Sequence, residues 1–492
     1  MPSPLTLTTP LGSDVFFVQG FTGSEGISRP FAFDLDLRAL NSAQVAFEKL
    51  LGQPMTLSMA MPGGGTRFFS GVCSRFSQGR RDATLTSYRA RLVPRLSVAS
   101  LLANSRIFQQ QTTPEILRNM FPAALGTPPD VTFQLKATYR ARNYCVQYRE
   151  SDFDFASRLM EEEGIFYFFR HDRSGHHLVL GDSPDFPTVP GPSPVAFSPT
   201  PPTHPDTATV FDWETAQELR SGRVTLRDHH FELPDETLEV HAATQDAVRV
   251  GTVVHHLSVG GNDKLELYDY PGGYAKRFDG ITPGGGEDPS RLQLIAPQGS
   301  ATGAIRIGEE AAQAIAVEGS STCRQFTGGH QFTLKGHFAG NGKYYIVGVT
   351  HRASVAGDPR RATQSSVDYH NTFSAGPVAL PFRPARSTPR PVVQGTQTAV
   401  VVGPAGGEVF TDEYGRVKVQ FFWDREGKKD QNSSCWIRVG ALHAGQENGF
   451  VTTPRIGDEV IVSFLEGDPD QPIIVGSVYN ADRRPPPPGT GD

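Results

Sequence analysis

Two neighbouring runs near the C-terminus decide the fold class of this chain. Residues 411–439 read TDEYGRVKVQFFWDREGKKDQNSSCWIRV, and residues 454–482 read PRIGDEVIVSFLEGDPDQPIIVGSVYNAD. Apolar and polar side chains alternate strictly between Gly415 and Phe421, which predicts a half-buried strand. Further strands are predicted at 435–439, 459–465 and 472–479. Roughly five short strands within about 100 residues predict a small closed barrel of the OB type.

The chain upstream of this barrel is also predicted to be rich in strands. Three alternating segments, Phe31–Leu37, Leu85–Leu92 and Gln331–Lys335, are typical of half-buried strands. Ile165–Phe169 is continuously apolar, which favours a strand that is buried on both faces. Glycine and proline together make up 90 of the 492 residues, an excess that favours many turns over long helices. The predicted fold is therefore mainly β with a few helices.

Three helices are predicted. One begins at Thr113-Pro114-Glu115, with Thr113 as the cap, and is stopped by Pro122. A second runs from Ser151 to Gly164, with a cap at Ser151, capping-box spacing to Asp154, and Gly164 at the C′ position. In this helix Asp154 and Arg158 are expected to pair on the solvated face. The third helix is opened by Glu309-Glu310 and ended by Gly319.

The second helix ends in three glutamates, Glu161, Glu162 and Glu163. The macrodipole of a helix disfavours negative charge at this end. One interpretation is a solvated and slightly unfavourable face, and the other is a cluster that is held for a basic partner surface or a neighbouring subunit. The sequence leaves both interpretations open.

Two proline-rich stretches divide the chain. Residues 183–206 carry nine prolines, which predicts a stiff extended crossing that joins neither a helix nor a central strand. Residues 376–391 carry five prolines together with Arg383, Arg386 and Arg390, and they are predicted to be an inter-domain linker.

Charge argues against several classes of partner. The formal net charge is −6 and the pI is about 6.2, whereas a nucleic-acid binder normally carries a basic face. Residues 390–480 hold eight Lys or Arg against twelve Asp or Glu, so we expect their aromatic residues to be core rather than stacking platforms for bases. These aromatic residues are Phe421, Phe422, Trp423, Trp436 and Phe450.

The targeting and cysteine patterns predict synthesis and folding in the cytoplasm. The N-terminus lacks the features of a secretory signal, and no apolar run is long enough to span a membrane, so no stable membrane insertion is expected. The four cysteines are widely spaced and are predicted to be buried free thiols rather than disulfides. They are Cys73, Cys145, Cys323 and Cys435.

We find no pattern in the sequence that is typical of an enzyme. There is no G-x-S-x-G elbow, and Gly342-Lys343 lacks both the first glycine and the Ser or Thr of a phosphate loop. Asp152 and Asp154 suit a capping role better than acid–base catalysis. Adjacent histidines, as in His176-His177, His229-His230 and His255-His256, point to opposite faces of a strand and suit one metal ion poorly. We therefore predict no catalytic, cofactor-binding or metal-binding residues and no cofactor.

Several runs carry a family resemblance. ARNYCVQYRESDFDFASRLMEEEGIFYFF (141–169), HLVLGDSP (177–184) and the two C-terminal runs resemble the VgrG family, the spike of the bacterial type VI secretion system. Weaker matches at 51–59, 68–78 and 332–351 follow in the order of the family. Phe422 departs from the usual histidine, and ALHAG at 441–445 departs from the usual Gln-Pro-Trp-Ala-Gly.

The resemblance implies a domain plan and a set of partners. It implies a phage-hub-like region with two related β-barrels (1–380), a Pro/Arg linker (381–391), an OB-fold spike base (392–480), and the start of a stalk or tail (481–492). The family's C-terminal β-helix needle is absent from this chain. The implied function is a structural homotrimer that caps the hexameric Hcp tube, punctures target envelopes, and carries a PAAR-type tip protein and effectors or their adaptors. Such a protein is cytoplasmic in the producing bacterium and is then injected into target cells. The alternative is a phage-like or effector-fused spike with a lysozyme or toxin domain beyond residue 492.

Overall fold

The computed structural model describes residues 4–126, 129–191, 193–200, 207–356, 366–446 and 448–486. Strands dominate this part of the chain, as predicted, and it contains three α-helices. The N-terminal elements are β1 (Leu5–Thr8), β2 (Phe17–Gly26), β3 (Arg29–Leu40), β4 (Pro54–Ala60), β5 (Thr66–Arg81), β6 (Leu85–Val93), β7 (Ala103–Gln111), α1 (Thr113–Leu125), β8 (Val131–Gln134), β9 (Arg142–Ser151), α2 (Asp152–Glu162), β10 (Phe166–His171) and β11 (His176–Gly181).

The middle and C-terminal elements continue the β-rich pattern. The middle elements are β12 (Val195–Phe197), β13 (Thr209–Gln217), β14 (Arg223–Asp228), β15 (Leu238–Ala243), β16 (Ala247–Val250), β17 (Val253–His256), β18 (Glu266–Asp269), α3 (Ile295–Ala314), β19 (Ile315–Ser321), β20 (Gln331–Lys335), β21 (Gly342–Ala356) and β22 (Ser366–Pro377). The C-terminal elements are β23 (Gln397–Val402), β24 (Lys418–Phe421), β25 (Arg438–Val439), β26 (Ala444–Gly445), β27 (Asn448–Gly449), β28 (Glu459–Phe464) and β29 (Pro472–Val478).

A twelve-stranded sheet forms two barrels that share one continuous ladder. Six strands, in the order β1-β4-β5-β6-β3-β2, make the first barrel, and six more, in the order β21-β20-β12-β13-β19-β22, make the second. The second closes because β22 also pairs with β21. Each barrel encloses its own apolar core, with Phe33 and Phe69 in the first and Phe332 and Tyr344 in the second. The two related barrels expected from the resemblance are therefore present.

The two barrels meet where β2 pairs with β21. The register joins Gly20 to Ser354 and Gly26 to Gly348 in an antiparallel ladder. Gly20 and Gly26 of β2 permit a close approach here, because a Cβ on Gly20 would lie 2.4 Å from the carbonyl oxygen of Ala353 and one on Gly26 would lie 2.8 Å from that of Val347. We call this ladder the seam.

The predicted strands upstream of the small barrel are confirmed. Phe31–Leu37 lies within β3, where buried and exposed residues alternate, and Leu85–Leu92 lies within β6. Gln331–Lys335 is β20. The continuously apolar segment is confirmed as β10, whose residues Phe166 to Phe169 are all buried.

Helix α2 begins and ends as predicted. The Ser151 hydroxyl accepts a hydrogen bond from the Asp154 amide, and Gly164 adopts a left-handed φ of 67° just past the helix. The expected pair of Asp154 and Arg158 is wrong. Arg158 is buried and donates instead to the Glu150 carboxylate at 2.8 Å, because that face of the helix packs against β9.

The bounds of the other two helices differ from the prediction. In α1 the cap is Thr112, whose hydroxyl accepts from the Glu115 amide in a full capping box, and the helix continues through Pro122 to Leu125. Helix α3 runs from Ile295 to Ala314, so Glu309 and Glu310 lie near its end rather than its start. The segment predicted to continue this third helix is strand β19, because its alternating side chains fill a central position of the second barrel.

The prediction that the first proline-rich stretch joins no central strand is wrong. Val195–Phe197 within it forms β12, which pairs with β20 on one side and β13 on the other. The three residues that follow Pro194 are enough to form a strand in the sheet. Residues 192 and 201–206 of this stretch lie outside the described part of the chain.

The C-terminal strands form the predicted small barrel. Its sheet has the order β24-β23-β28-β29-β25, and a bridge between Val417 and Ile437 closes the ring. Some predicted strands are shorter in the structure, since regular pairing begins only at Lys418 and at Arg438. All four cysteines of the chain are buried free thiols, as predicted.

Candidate functional site

Two buried carboxylates lie at the C-terminal end of α2. Arg142 on β9 donates to both, reaching Glu162 at 2.8 Å and Glu163 at 2.8 Å. Arg277 lies 2.6 Å from Glu163, and Arg390 lies 3.1 Å from Glu162. Burial alone raises the pKa of the Glu162 carboxyl, but the charges of Arg390, Arg142 and Arg277 outweigh it and hold the pKa well below 4.5. Guanidinium groups thus offset the unfavourable dipole at this helix end.

The remaining glutamate of the run, Glu161, binds the linker segment rather than an arginine. Glu161 accepts hydrogen bonds from the amide of Thr388 at 3.0 Å and from its hydroxyl at 2.8 Å. The interpretation of this run as a solvated face is wrong for Glu162 and Glu163, which are largely buried. The basic surface that they face belongs to the same chain.

The predicted linker between β22 and β23 is anchored along its length. Arg383 donates to the carbonyl oxygen of Asp182 at 2.6 Å, and Arg386 lies 3.1 Å from the Glu309 carboxylate. Arg390 joins the glutamates at the end of α2, as described above. Each arginine that punctuates this segment therefore holds it against the two-barrel region.

The small barrel contacts the two-barrel region through a buried ion pair. Arg416 donates from Nη1 and Nη2 to the two carboxylate oxygens of Asp279, at 2.9 and 2.8 Å. Both side chains are buried. The Arg416 Nε also contacts Asp412, which fixes the guanidinium plane from the other side. Charge-assisted bidentate pairs of this kind are the most directional polar contacts available to a protein.

A second cross-domain pair lies at the loop between β28 and β29. The Lys276 ammonium lies 2.9 Å from the Asp470 carboxylate and also contacts Asp468. Burial lowers the pKa of Lys276, but these two carboxylates outweigh it and raise the pKa above its ordinary value. The other oxygen of Asp470 accepts from the amide of Val146 at 2.7 Å, so one side chain binds both β9 and the lysine.

Apolar side chains complete the contact. Tyr144 and Val146 of β9 belong to the same apolar cluster as the core of the small barrel. Tyr148 meets Trp423 edge-on, with ring centroids 5.9 Å apart. Trp436 donates from its indole nitrogen to the carbonyl oxygen of Thr282 at 2.9 Å. We call this combined surface of ion pairs, anchored linker and apolar contacts the joint.

A separate buried network lies near the seam. Glu25 on β2 accepts from Arg67 at 2.7 Å and pairs with His351 at 3.0 Å, and His351 contacts the Tyr369 hydroxyl at 2.7 Å. Burial lowers the pKa of His351. These groups are almost wholly inaccessible to solvent, and their arrangement suits a structural role.

Two of the carboxylates considered in the sequence, Asp152 and Asp154, form local contacts. Asp152 accepts from Arg106 at 2.7 Å, and Asp154 bonds the cap residue Ser151. The described residues contain no group of three or more side chains that could hold a metal ion. Phe421 and Trp436 are buried and Trp423 is partly buried, as expected for core aromatics. The expectation is wrong for Phe422 and Phe450, which are exposed.

The partners within the joint were missed by sequence reasoning. Lys276 and Arg277 lie more than 100 positions from the carboxylates that they meet, and Arg142 lies 20 positions from Glu162, so no helical spacing links them. The available signal was the run of three glutamates at an unfavourable helix end, which implied nearby cations without identifying them.

Comparison with known proteins decides the family. A model of the phage tail baseplate hub (GPD) matches residues 24–357, and a model of the type VI secretion system/phage-baseplate injector OB domain matches residues 407–479. The chain is 40% identical to the type VI secretion system spike protein VgrG1a of Pseudomonas aeruginosa over 97% of its length, covering 69% of that protein. The chain belongs to the VgrG family of type VI secretion spike proteins.

Another VgrG protein matches at similar identity, and two solved structures share the fold. VgrG1c of Pseudomonas aeruginosa is 39% identical over 97% of the chain, which spans 62% of that relative. The structure of the E. coli c3393 protein, described as a type VI secretion component similar to T4 phage tail proteins gp27 and gp5, has a TM-score of 0.61 at 22% identity. It covers 94% of this chain, which covers 97% of it. The lidded PdpA–VgrG complex of Francisella has a TM-score of 0.57 at 8% identity, covering 97% of this chain and 71% of that one.

These findings give the two regions their names. The two-barrel region is the VgrG hub and the small barrel is its OB domain, so the joint connects the hub to the OB domain. No helix among the described residues is long and apolar enough to cross a membrane.

Proposed function

We propose that this chain is a mechanical, non-catalytic part of the type VI secretion spike. Three copies form the hub and spike base, cap the hexameric Hcp tube, and are driven with it into the target envelope. Each chain carries two barrels, so a trimer offers six similar barrels to a sixfold tube, which supports this arrangement. The domain boundaries at 380, 391 and 480 stay predictions.

The joint is the observation that carries this proposal. A spike that transmits an axial thrust needs a stiff connection between hub and tip. Here the connecting segment is held by three arginines, and the OB domain is held by the buried pair of Arg416 and Asp279. A connector made for independent domain motion would leave its backbone and charges in solvent.

The expected partners at the tip are a PAAR-type protein and effectors or their adaptors. A solved VgrG relative is described as a complex with PdpA, which supports a protein partner for the spike. On this proposal the chain is folded in the cytoplasm of the producer and leaves the cell by the type VI route.

Export of the tube protein tests the proposal. A strain that lacks this gene and its paralogues is expected to lose Hcp from the culture medium, and the wild-type gene is expected to restore it. Complementation with a gene for Arg416→Met, which weakens the joint, should restore less Hcp than the matched surface variant Arg455→Met. Normal Hcp export without the gene would contradict the proposal.

A further inference from the structure

The OB domain carries an extension that the chain itself leaves uncovered. Residues 440–453, here called the arm, leave the barrel between β25 and β28, and every arm residue that the structure describes is exposed. Within the arm, β26 and β27 pair with each other as a small antiparallel hairpin. Leu442 is 94% exposed, Val451 91%, and Phe450 62%. Single exposed apolar residues are ordinary, but three large ones on a short projecting arm mark a contact surface.

A second uncovered apolar feature lies on the same domain. Along β29 the side chains alternate, so Ile474 enters the core while Val475 and Ser477 face outward, followed by Tyr479 just past the strand. Val475 and Tyr479 are each more than half exposed. The outward face of a small barrel in water is normally polar. We call the outward row Val475, Ser477 and Tyr479 the stripe.

The arm begins beside the stripe without covering it. The amide of Gly440 donates to the carbonyl oxygen of Ile474 at 2.7 Å, so the arm begins next to Val475, the first residue of the stripe. The near-complete exposure of Leu442 and Val451 leaves almost no contact between the arm and the stripe of the same copy. Within one chain, therefore, two apolar surfaces start close together and both stay exposed to solvent.

The low charge of the arm and of the stripe indicates which kind of protein contact buries these two surfaces. The arm contains no Lys or Arg and one carboxylate, Glu447, and residues 472–479 carry no charged side chain. Permanent subunit contacts are apolar and depleted of charge at their centre, whereas transient ones keep polar groups. The arm and the stripe match each other in this respect, because each is an apolar surface with little or no charge. A second copy of this chain supplies both surfaces at once.

We propose that the arm of one copy packs on the stripe of the next copy. The contact joins two different surfaces, so it is heterologous, and repetition around an axis closes a ring rather than a twofold pair. The proposal rests on the proposed function, which supplies the number of copies, and adds the side chains that hold the OB domains together. Leu442, Phe450 and Val451 are donated by one copy, and Val475 and Tyr479 receive them on the next.

Disulfide trapping tests the contact directly. Chains carrying Leu442→Cys and chains carrying Val475→Cys are co-expressed with different tags, purified and oxidised, and run on a non-reducing gel. The native cysteines are buried, so background linkage is low. A linked pair that carries both tags is the expected result, and the double variant should give linked trimers. The control pair Phe338→Cys and Val475→Cys uses an equally exposed hub residue, and it should not link.

The outcomes separate this contact from the trimer itself. Linked trimers support the contact. Light scattering that shows a trimer, with no tagged pair on the gel, overturns the arm contact and leaves the proposed function standing. A double variant that links only within single chains overturns the contact as well, because the arm then closes on its own stripe. A chain that is monomeric at every concentration contradicts the trimer and the contact together.

Removing the apolar groups gives an independent measurement. The double variant Leu442→Ser, Val451→Ser is expected to raise the concentration at which the trimer dissociates by on the order of tenfold or more, since two large apolar side chains leave the interface. The control Phe338→Ser should leave that concentration unchanged. Equal dissociation of the arm variant and the wild type would overturn the contact.

Discussion

Arg416 of the OB domain holds Asp279 of the hub through two parallel hydrogen bonds, and both side chains are almost completely buried. The two residues are 137 positions apart in the chain. Taking such charges out of water is costly, and only their mutual pairing offsets that cost. The pair is therefore a place where the connection of the two domains can be weakened by one substitution.

Substitution of one partner is expected to destabilise the protein strongly. Arg416→Met leaves the Asp279 carboxylate buried without its bidentate partner, which costs about 3–5 kcal/mol of unfolding free energy. Urea unfolding followed by circular dichroism measures this change. The surface pair of Arg455 and Glu408 is the matched control, because its side chains are mostly exposed and Arg455→Met should cost about 1 kcal/mol or less. Equal losses in the two variants would contradict a special role for the buried pair.

The hub and the OB domain are expected to unfold together. Trp213 lies in the second hub barrel, whereas Trp423 and Trp436 lie in the OB domain, so fluorescence can report on each separately. In the Trp213→Phe variant the signal comes from the OB domain, and in the double variant Trp423→Phe, Trp436→Phe it comes from the hub. The substitutions can themselves change stability, so the unfolding midpoint of each variant is also measured by circular dichroism and compared with that of the wild type. After this difference is subtracted, the two fluorescence midpoints in urea should coincide. Separate midpoints would show that the joint does not couple the domains.

Buried histidines predict a loss of stability in mild acid. Burial lowers the pKa of His330 from its ordinary 6.5 to about 4. Between these values the unfolded chain binds a proton that the folded chain does not, so the unfolding free energy falls as the pH drops from 6.5 towards 4. One such group contributes up to about 1.4 kcal/mol per pH unit. His330→Gln should flatten the measured curve in this range, whereas the exposed His256→Gln should not.

The glutamates at the end of α2 predict a second loss at lower pH. Because the folded pKa of Glu162 is held well below 4.5, its contribution to stability is fully present above that value. The contribution is lost as the pH falls from about 4.5 through the lowered folded pKa. Glu162→Gln should be less stable than wild type at neutral pH and should show a smaller further loss in acid. The exposed Glu236→Gln is the control, and a wild-type slope in the Glu162 variant would contradict the assignment.

Short-range patterns in the sequence predicted the elements well. The alternation in β3, β6 and β20 and the cap at Ser151 depend on neighbours within a few residues, and each is confirmed. The errors arose where distant packing decides the outcome. The strand after Ala314 is held in the second barrel by its pairing with β13, which comes from a distant part of the chain.

The candidate site was harder to predict for the same reason. The glutamate run gave a local sign of strain, but its partners come from three separate segments. Arg158 was assigned to the solvated side because helical spacing placed it near Asp154, whereas β9 covers that side and brings Glu150 within reach. Charge pairing across more than 100 residues is set by the folded surface, and helix spacing carries no information about it.

The seam between β2 and β21 bears on how the hub withstands impact. Its antiparallel ladder joins seven residue pairs, and the glycines of β2 let the two backbones lie close together. A pull along the strands loads all the hydrogen bonds of such a ladder in shear at once, whereas a pull across them would open the bonds one after another. Under a force along β2, the ladder therefore keeps the two barrels from sliding past each other, and they respond as one rigid body. A side chain at Gly20 or Gly26 would push the strands apart and allow the two barrels to move independently.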